Sequence, residues 1–265
     1  ADEPFGVDLH NTVYAFDATT IELCLSLCPW ASFQRSCGGI KLHTQMDLRG
    51  SIPTFIHISQ ARCNDVAVLD QLVYEPGAFY LFDRGYVHFK RLYALSQTGA
   101  FFVTRAEKRM QFRRLRSVST DGNDGVKADQ VIRLTGMQTH LTYPEPLRRV
   151  SFHDVERNKR LVFVTNNLVL PAATFASLYK GRWRIEIFFK WIKQHLRIKK
   201  FYATSENGVR TQIWIAVCVY VLVAIARKKL GIKAPLHTFF QVVGLTIFEK
   251  KPILEVFPDA MRTNS

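Results

Sequence analysis

The chain has 265 residues, with 36 Lys and Arg against 22 Asp and Glu, a formal charge of +14 and a 48% hydrophobic content. With a mean hydropathy of -0.02, that apolar share excludes a wholly disordered polymer and supplies one large core or two small ones. The basic balance (pI ≈ 9.8) points to a polyanionic partner, nucleic acid ahead of an acidic membrane surface.

In chain order, "TVYAFDATTIELCL" (Thr12 to Leu25) is rich in β-branched and aromatic residues and predicts a strand interrupted near Asp17. "IKLHTQMDLRGSIPTFIHISQA" holds two extended runs either side of "RGSIP", which predicts a hairpin. Asn64 is placed to cap a helix through "DVAVLDQLVY". "GAFYLFDRGY" is a continuous apolar run ending in Asp83, as a strand buried on both faces requires. "VHFKRLYALSQTG" predicts a helix with a glycine stop, and "AFFVTR" another buried strand. From about residue 106 to 165, short alternating runs separated by "TDGNDG", "YPEP" and "ERNK" predict a small antiparallel sheet with basic edges. Pro171 opens a long helical region that reaches Lys229, broken near "ATSENGV". Strands, then helix, strand, helix and strand, with a late β block before the last helices, predict a mixed sheet flanked by helices.

Two composition signals have bland explanations. Cys24, Cys28 and Cys37 lack a CxxC pair, so buried apolar cysteines are expected ahead of zinc ligands, and the odd total of five suits a reducing compartment. "IWIAVCVYVLVAIA" (Ile213 to Ala226) has 14 apolar residues, fewer than the roughly 20 that span a bilayer. It predicts a helix buried on most sides, closed by Arg227, Lys228, Lys229 and Gly231.

The chemistry concentrates in "YKGRWRIEIFFKWIKQHLRIKK" (Tyr179 to Lys200), with eight basic residues and one acid, Glu186. Tyr179, Arg182, Glu186 and Lys193 have offsets of 0, 3, 7 and 14. On one continuous helix they would project within about 60° along a stripe about 21 Å long. A solvated face with Glu186 paired to Arg182 or Lys190 is the ordinary reading. Asp17 and Asp83, each at the break or end of an apolar strand, raise another. Three converging carboxylates are costly unless cations neutralise them. Mg²⁺ suits such oxygen donors, and two ions about 4 Å apart can clamp both oxygens of an in-line phosphoryl transfer.

"AFDATTIEL" around Asp17, "YLFDRGY" around Asp83 and Tyr179-x2-Arg182-x3-Glu186-x6-Lys193 resemble the DDE transposases of the bacterial insertion-sequence-four family, marked by a Y-R-E-K signature. The likeness runs from about Thr12 to Leu230. It implies a single ribonuclease-H-like α/β domain over residues 1–265, with a β-rich insertion at about 106–165 before the last catalytic helix. It further implies Asp17, Asp83 and Glu186 as the catalytic, metal-binding triad for two Mg²⁺ (or Mn²⁺) ions. Tyr179, Arg182 and Lys193 would bind DNA phosphates. The implied partners are double-stranded DNA (terminal inverted repeats and target) and a second copy in a synaptic homodimer, in the bacterial cytoplasm at the nucleoid and not at a membrane. Little precedes the first strand, so the upstream end-recognition region of the family is expected to be absent. A metal-dependent nuclease, or a DNA-binding remnant without catalysis, are the alternatives.

Other signals are weaker. "RAEKRMQFRRLR" (Arg105 to Arg116) is either a phosphate contact or a charge-guarded edge. Trp183, Trp191 and Trp214 are expected in the core ahead of stacking on a base, and His153 is expected to be structural.

Overall fold

A computed structural model describes residues 11–34, 37–120, 125–155, 157–195, 203–232, 234, 236–246, 249–250 and 252–256. Its strands are β1 (Val13–Leu23), β2 (Ser32–Gln34), β3 (Cys37–Asp47), β4 (Ile52–Gln60), β5 (Phe79–Phe82), β6 (Phe101–Arg105), β7 (Phe112–Val118), β8 (Val126–Leu134), β9 (Leu147–Asp154) and β10 (Lys159–Thr165). Its α-helices are α1 (Phe89–Gln97), α2 (Thr139–Thr142), α3 (Ala172–Gly181), α4 (Trp183–His195), α5 (Glu206–Lys229) and α6 (Leu236–Thr246).

The described strands form one sheet in the order β2-β3-β1-β5-β6-β10-β9-β8-β7, with β4 also paired to β3. β1, β5 and β6 are parallel; β3 runs antiparallel to β1, and β4 antiparallel to β3. The parallel centre is buried on both faces, because its residues alternate between two cores. Phe79, Leu81 and Val103 face α3, α4 and α5, together with Phe175, Leu178, Ile185, Phe188 and Ile213. Phe16, Tyr80, Phe82 and Phe102 face α1, with Phe89, Leu92 and Leu95. Period-two alternation inside a wholly apolar run is what a doubly covered strand demands.

Asn64 caps as expected, accepting from Val66 N at 3.0 Å, but the element it opens is a 3₁₀ helix, Asp65–Gln71. β1 is continuous through Asp17, so the expected interruption is absent. Asp17 takes one ordinary strand position opposite Thr44 of β3.

The late β block is not a separate small sheet. β10 pairs with β6 (Val164↔Thr104), and the β7–β10 meander extends the main sheet. β7 ends it, and Arg113, Arg114 and Arg116 are exposed there, as charged guards of an open edge. Under α3, Arg148 grips Asp129 through two hydrogen bonds of 2.8 and 2.6 Å and donates a third to Leu170 O. This buried pair joins β8 and β9 to the segment that enters α3.

α5 departs from expectation. Val209, Ile213, Val217, Tyr220 and Ala224 are buried, while Trp214, Ile215, Val219 and Leu222 on its other side are exposed. Its 24 residues are long and apolar enough to cross a membrane, yet Val209, Ile213 and Tyr220 belong to the core shared by β1 and α4. Cysteine burial also varies: Cys28 is buried and Cys24 and Cys218 are exposed, whereas the Cys37 side chain lies outside the described residues.

Candidate active site

Backbone register brings the first two acids together. The parallel β1–β5 pairing ends at Phe16↔Phe82, so Asp17 and Asp83 are the next residues on neighbouring strands, about 4.8 Å apart in the pairing direction. Phe16 and Phe82 both point into the α1-side core. Alternation therefore turns Asp17 and Asp83 to the opposite face, where α3 and α4 lie.

The third acid arrives on α4. The stripe predicted on one long helix is divided between two. α3 ends at Gly181, and Arg182 forms the junction with φ -55° and ψ -28°. Bonds from Arg182 N to Tyr179 O (3.2 Å) and from Ile185 N to Arg182 O (3.1 Å) tighten this turn to three-residue spacing. Because Arg182 stays right-handed, Tyr179, Arg182 and Glu186 still converge.

Arg182 is the hub. Its Nη1 lies 2.8 Å from Asp17 Oδ2 and its Nη2 2.5 Å from Glu186 Oε1. Tyr179 OH donates to Asp83 Oδ1 at 3.0 Å, and the Arg182 guanidinium stands 5.6 Å from the centre of the Tyr179 ring. Tyr179 and Arg182, the residues expected to bind phosphate, contact the three acids here. Burial pushes the Asp17 carboxyl from 3.8 up to about 6. Arg182 and the Ala18 N–H oppose that rise, and Asp83 and Glu186 add to it. An acid held this way is short of positive charge.

Asp17, Glu186, Phe189, Lys190 and Lys193 line a cleft of about 480 Å³, so Lys193 shares a cleft with two of the acids. Asp83 is not among its lining residues; it sits beside Asp17 under Tyr179. Among the described residues no three acid, His or Cys side chains stand close enough to hold one ion. The donor set is nonetheless all carboxylate oxygen, as hard divalent ions require. In this arrangement the Arg182 fork spans Asp17 and Glu186, where added positive charge is needed.

Two neighbours escaped the sequence reading. Thr104 donates its hydroxyl to the Asp83 carbonyl at 3.4 Å. Arg105, read only as the start of a basic run, ends β6 near Tyr179, and its buried Nε has no hydrogen-bond partner. Its position at the carboxyl end of a parallel strand was the available signal, because sites gather at that edge. Trp191 is buried as expected, but Trp183 is 56% and Trp214 45% exposed. His153 is half-buried in β9, away from the acids. Of the other first-half acids, Asp65 pairs with Lys41 at 2.8 Å, Asp47 closes the β3–β4 turn by accepting from Arg49 N, and Glu22 is exposed.

The family profile described as the transposase DDE domain matches residues 9–222. A protein of Sinorhizobium fredii named as a transposase is 35% identical over 244 residues, covering 91% of this chain and 68% of that protein. One of Geobacillus stearothermophilus, named as a transposase for an insertion sequence element, is 28% identical over 208 residues, 78% of this chain and 54% of its own length. The chain thus spans about two thirds of the first relative and about half of the second. Among solved structures, a piggyBac transposase synaptic complex with hairpin DNA aligns with a TM-score of 0.49 at 11% identity, over 96% of this chain and 59% of that one.

Proposed function

This chain belongs to the DDE-domain transposases, and from that premise we propose that it is the catalytic domain of an insertion-sequence transposase of the insertion-sequence-four group. It cleaves phosphodiesters at the ends of a mobile element and joins the freed 3′ ends to target DNA. One observation carries this reading. Asp17 and Asp83 are adjacent by strand register, and a single guanidinium joins Asp17 to Glu186.

The strand order β4-β3-β1-β5-β6, antiparallel then parallel, supports a ribonuclease-H-like core. The β7–β10 meander supports an insertion at about 106–165 within one domain. The substrates are duplex DNA, as terminal inverted repeats and as target, engaged by two copies of the protein in the bacterial cytoplasm.

Asp17, Asp83 and Glu186 would hold two Mg²⁺ or Mn²⁺ ions. Bound there, such ions would polarise the scissile phosphate and lower the pKa of the attacking hydroxyl. The side chains supply the rest. Tyr179 orients Asp83 through its hydroxyl, and Arg182 keeps Asp17 and Glu186 facing each other. Lys190 and Lys193, in the same cleft, draw the DNA phosphate toward the acids and offset its charge. Asp17 sheds its proton near pH 6, so cation binding strengthens as pH rises through that value.

The test is nicking of a duplex that carries the element's terminal repeat, with Mg²⁺ or Mn²⁺. Asp83→Asn should abolish it, and wild-type rates in that variant would remove the assignment. Strand-transfer products with added target separate a transposase from a simple nuclease.

A further inference from the structure

A second cationic site lies on the other flank of α4. Arg49, Arg184, Arg227 and Lys228 line a cleft of about 240 Å³, together with the β3–β4 turn and the residues that follow α5. That volume has room for a phosphate group. Among the described residues, the Asp47 carboxylate stands 3.7 Å from Arg49 Nε. The Arg49 Nη2 is anchored on Thr12 Oγ1 at 2.7 Å, and Arg184 donates to the Leu48 carbonyl. The buried Nε of Arg227 has no hydrogen-bond partner. Tyr220, whose hydroxyl donates to Ser51 O at 3.1 Å, reports both deeper cations. Burial pushes its phenol up, while Arg227 and Arg184 pull it down.

The end of α5 is built to accept cations without repelling an anion. Gly231, at φ 63°, closes a turn in which Gly231 N bonds Lys228 O and Ile232 N bonds Arg227 O. The last carbonyls are thereby satisfied by backbone amides, leaving the side chains of Arg227 and Lys228 to face the cleft.

We propose that Arg49, Arg184, Arg227 and Lys228 form a second phosphate site, which takes a backbone phosphate of the same duplex whose scissile phosphate lies at the acids. This rests on the DNA-cleaving reading above. At about 100° per residue, Arg184 lies about 180° around α4 from Lys193. The two sites therefore straddle the exposed crest that carries Trp183 and Ile187. An α-helix with its side chains is about 10–12 Å wide, close to the 12 Å or so of a major groove. Phosphates of the two strands can thus meet the two flanks of one helix.

The test uses the full chain without divalent ions and measures affinity for a duplex of about 20 base pairs across a salt series. The double variant Arg49→Gln/Lys228→Gln removes two exposed cations and spares the core. It should bind several-fold more weakly, with a salt slope shallower by about one unit, as expected for one lost phosphate. Arg227→Gln, checked for cooperative unfolding, should do the same. Asp83→Asn should keep the wild-type slope. Duplex binding with a slope untouched by the cleft variants overturns this site while leaving the nicking assignment intact; wild-type nicking in Asp83→Asn overturns the nicking assignment, and the slope of the cleft variants still decides whether this site binds duplex. Inorganic phosphate supplies the second arm. If its binding is lost in the cleft variants while the duplex slope is unchanged, the site takes free anions and the DNA assignment is overturned.

Discussion

Asp17→Asn should make the metal-free protein more stable while destroying its chemistry. The Asp17 carboxyl rises from 3.8 to about 6 on folding. The folded state therefore holds the proton more tightly than the unfolded one, and folding is favoured while the group is protonated in both. That advantage is complete below about pH 3.8 and is lost as pH rises through 6. At about 1.36 kcal/mol per unit, the penalty for ionising Asp17 approaches 3 kcal/mol at pH 8. With the side chain one-fifth exposed, about 2 kcal/mol is the working figure. Asparagine never ionises and escapes it. Urea unfolding in chelator should show the variant about 2 kcal/mol more stable at pH 8 and level with wild type near pH 4. In melting temperature the gain should be about 4–8 °C. Added Mg²⁺ should reverse the order, since a ligand at a hundred times its Kd stabilises the wild type by about 2.7 kcal/mol. No gain at pH 8, or an equal gain at pH 4, would refute the account of a charge-starved acid.

Arg182→Gln should act in the opposite direction, costing about 2–3 kcal/mol in chelator because it strands Asp17 and Glu186, with the loss partly restored by Mg²⁺ in the same unfolding assay. Arg148→Ala leaves Asp129 buried without its partner and should cost about 3–5 kcal/mol. The apolar pair Arg148→Met/Asp129→Leu should recover most of it, as read by urea midpoint. Lys193→Ala should shallow the salt dependence of duplex binding by about one unit, measured by fluorescence anisotropy.

Much of this was legible in residue order. Apolar runs with their alternation placed β5 and β6 at a buried centre, and turn residues placed the β3–β4 hairpin. Fixed spacing marked Tyr179, Arg182, Glu186 and Lys193 as one group, because helical neighbours recur at three and four residues whatever the surroundings. An acid breaking one apolar run and an acid ending another marked Asp17 and Asp83, although β1 runs on through Asp17. Local periodicity reports which faces are apolar, and that much was determined by sequence alone.

What lies on those faces depends on contacts between segments far apart in the chain. The β block could not announce that it would continue the main sheet through β10 and β6, since edge pairing is set by partners about 60 residues away. Nor could the apolar stretch of α5 show which side would be covered. Hydrophobicity states a tendency to be buried, and only the packing of α4 and α6 decides that Tyr220 is inside and Trp214 outside. The contacts of the signature residues were decided in the same way: tertiary packing brings Asp83 within hydrogen-bonding reach of Tyr179 and Asp17 within reach of Arg182, 96 and 165 residues away in the chain.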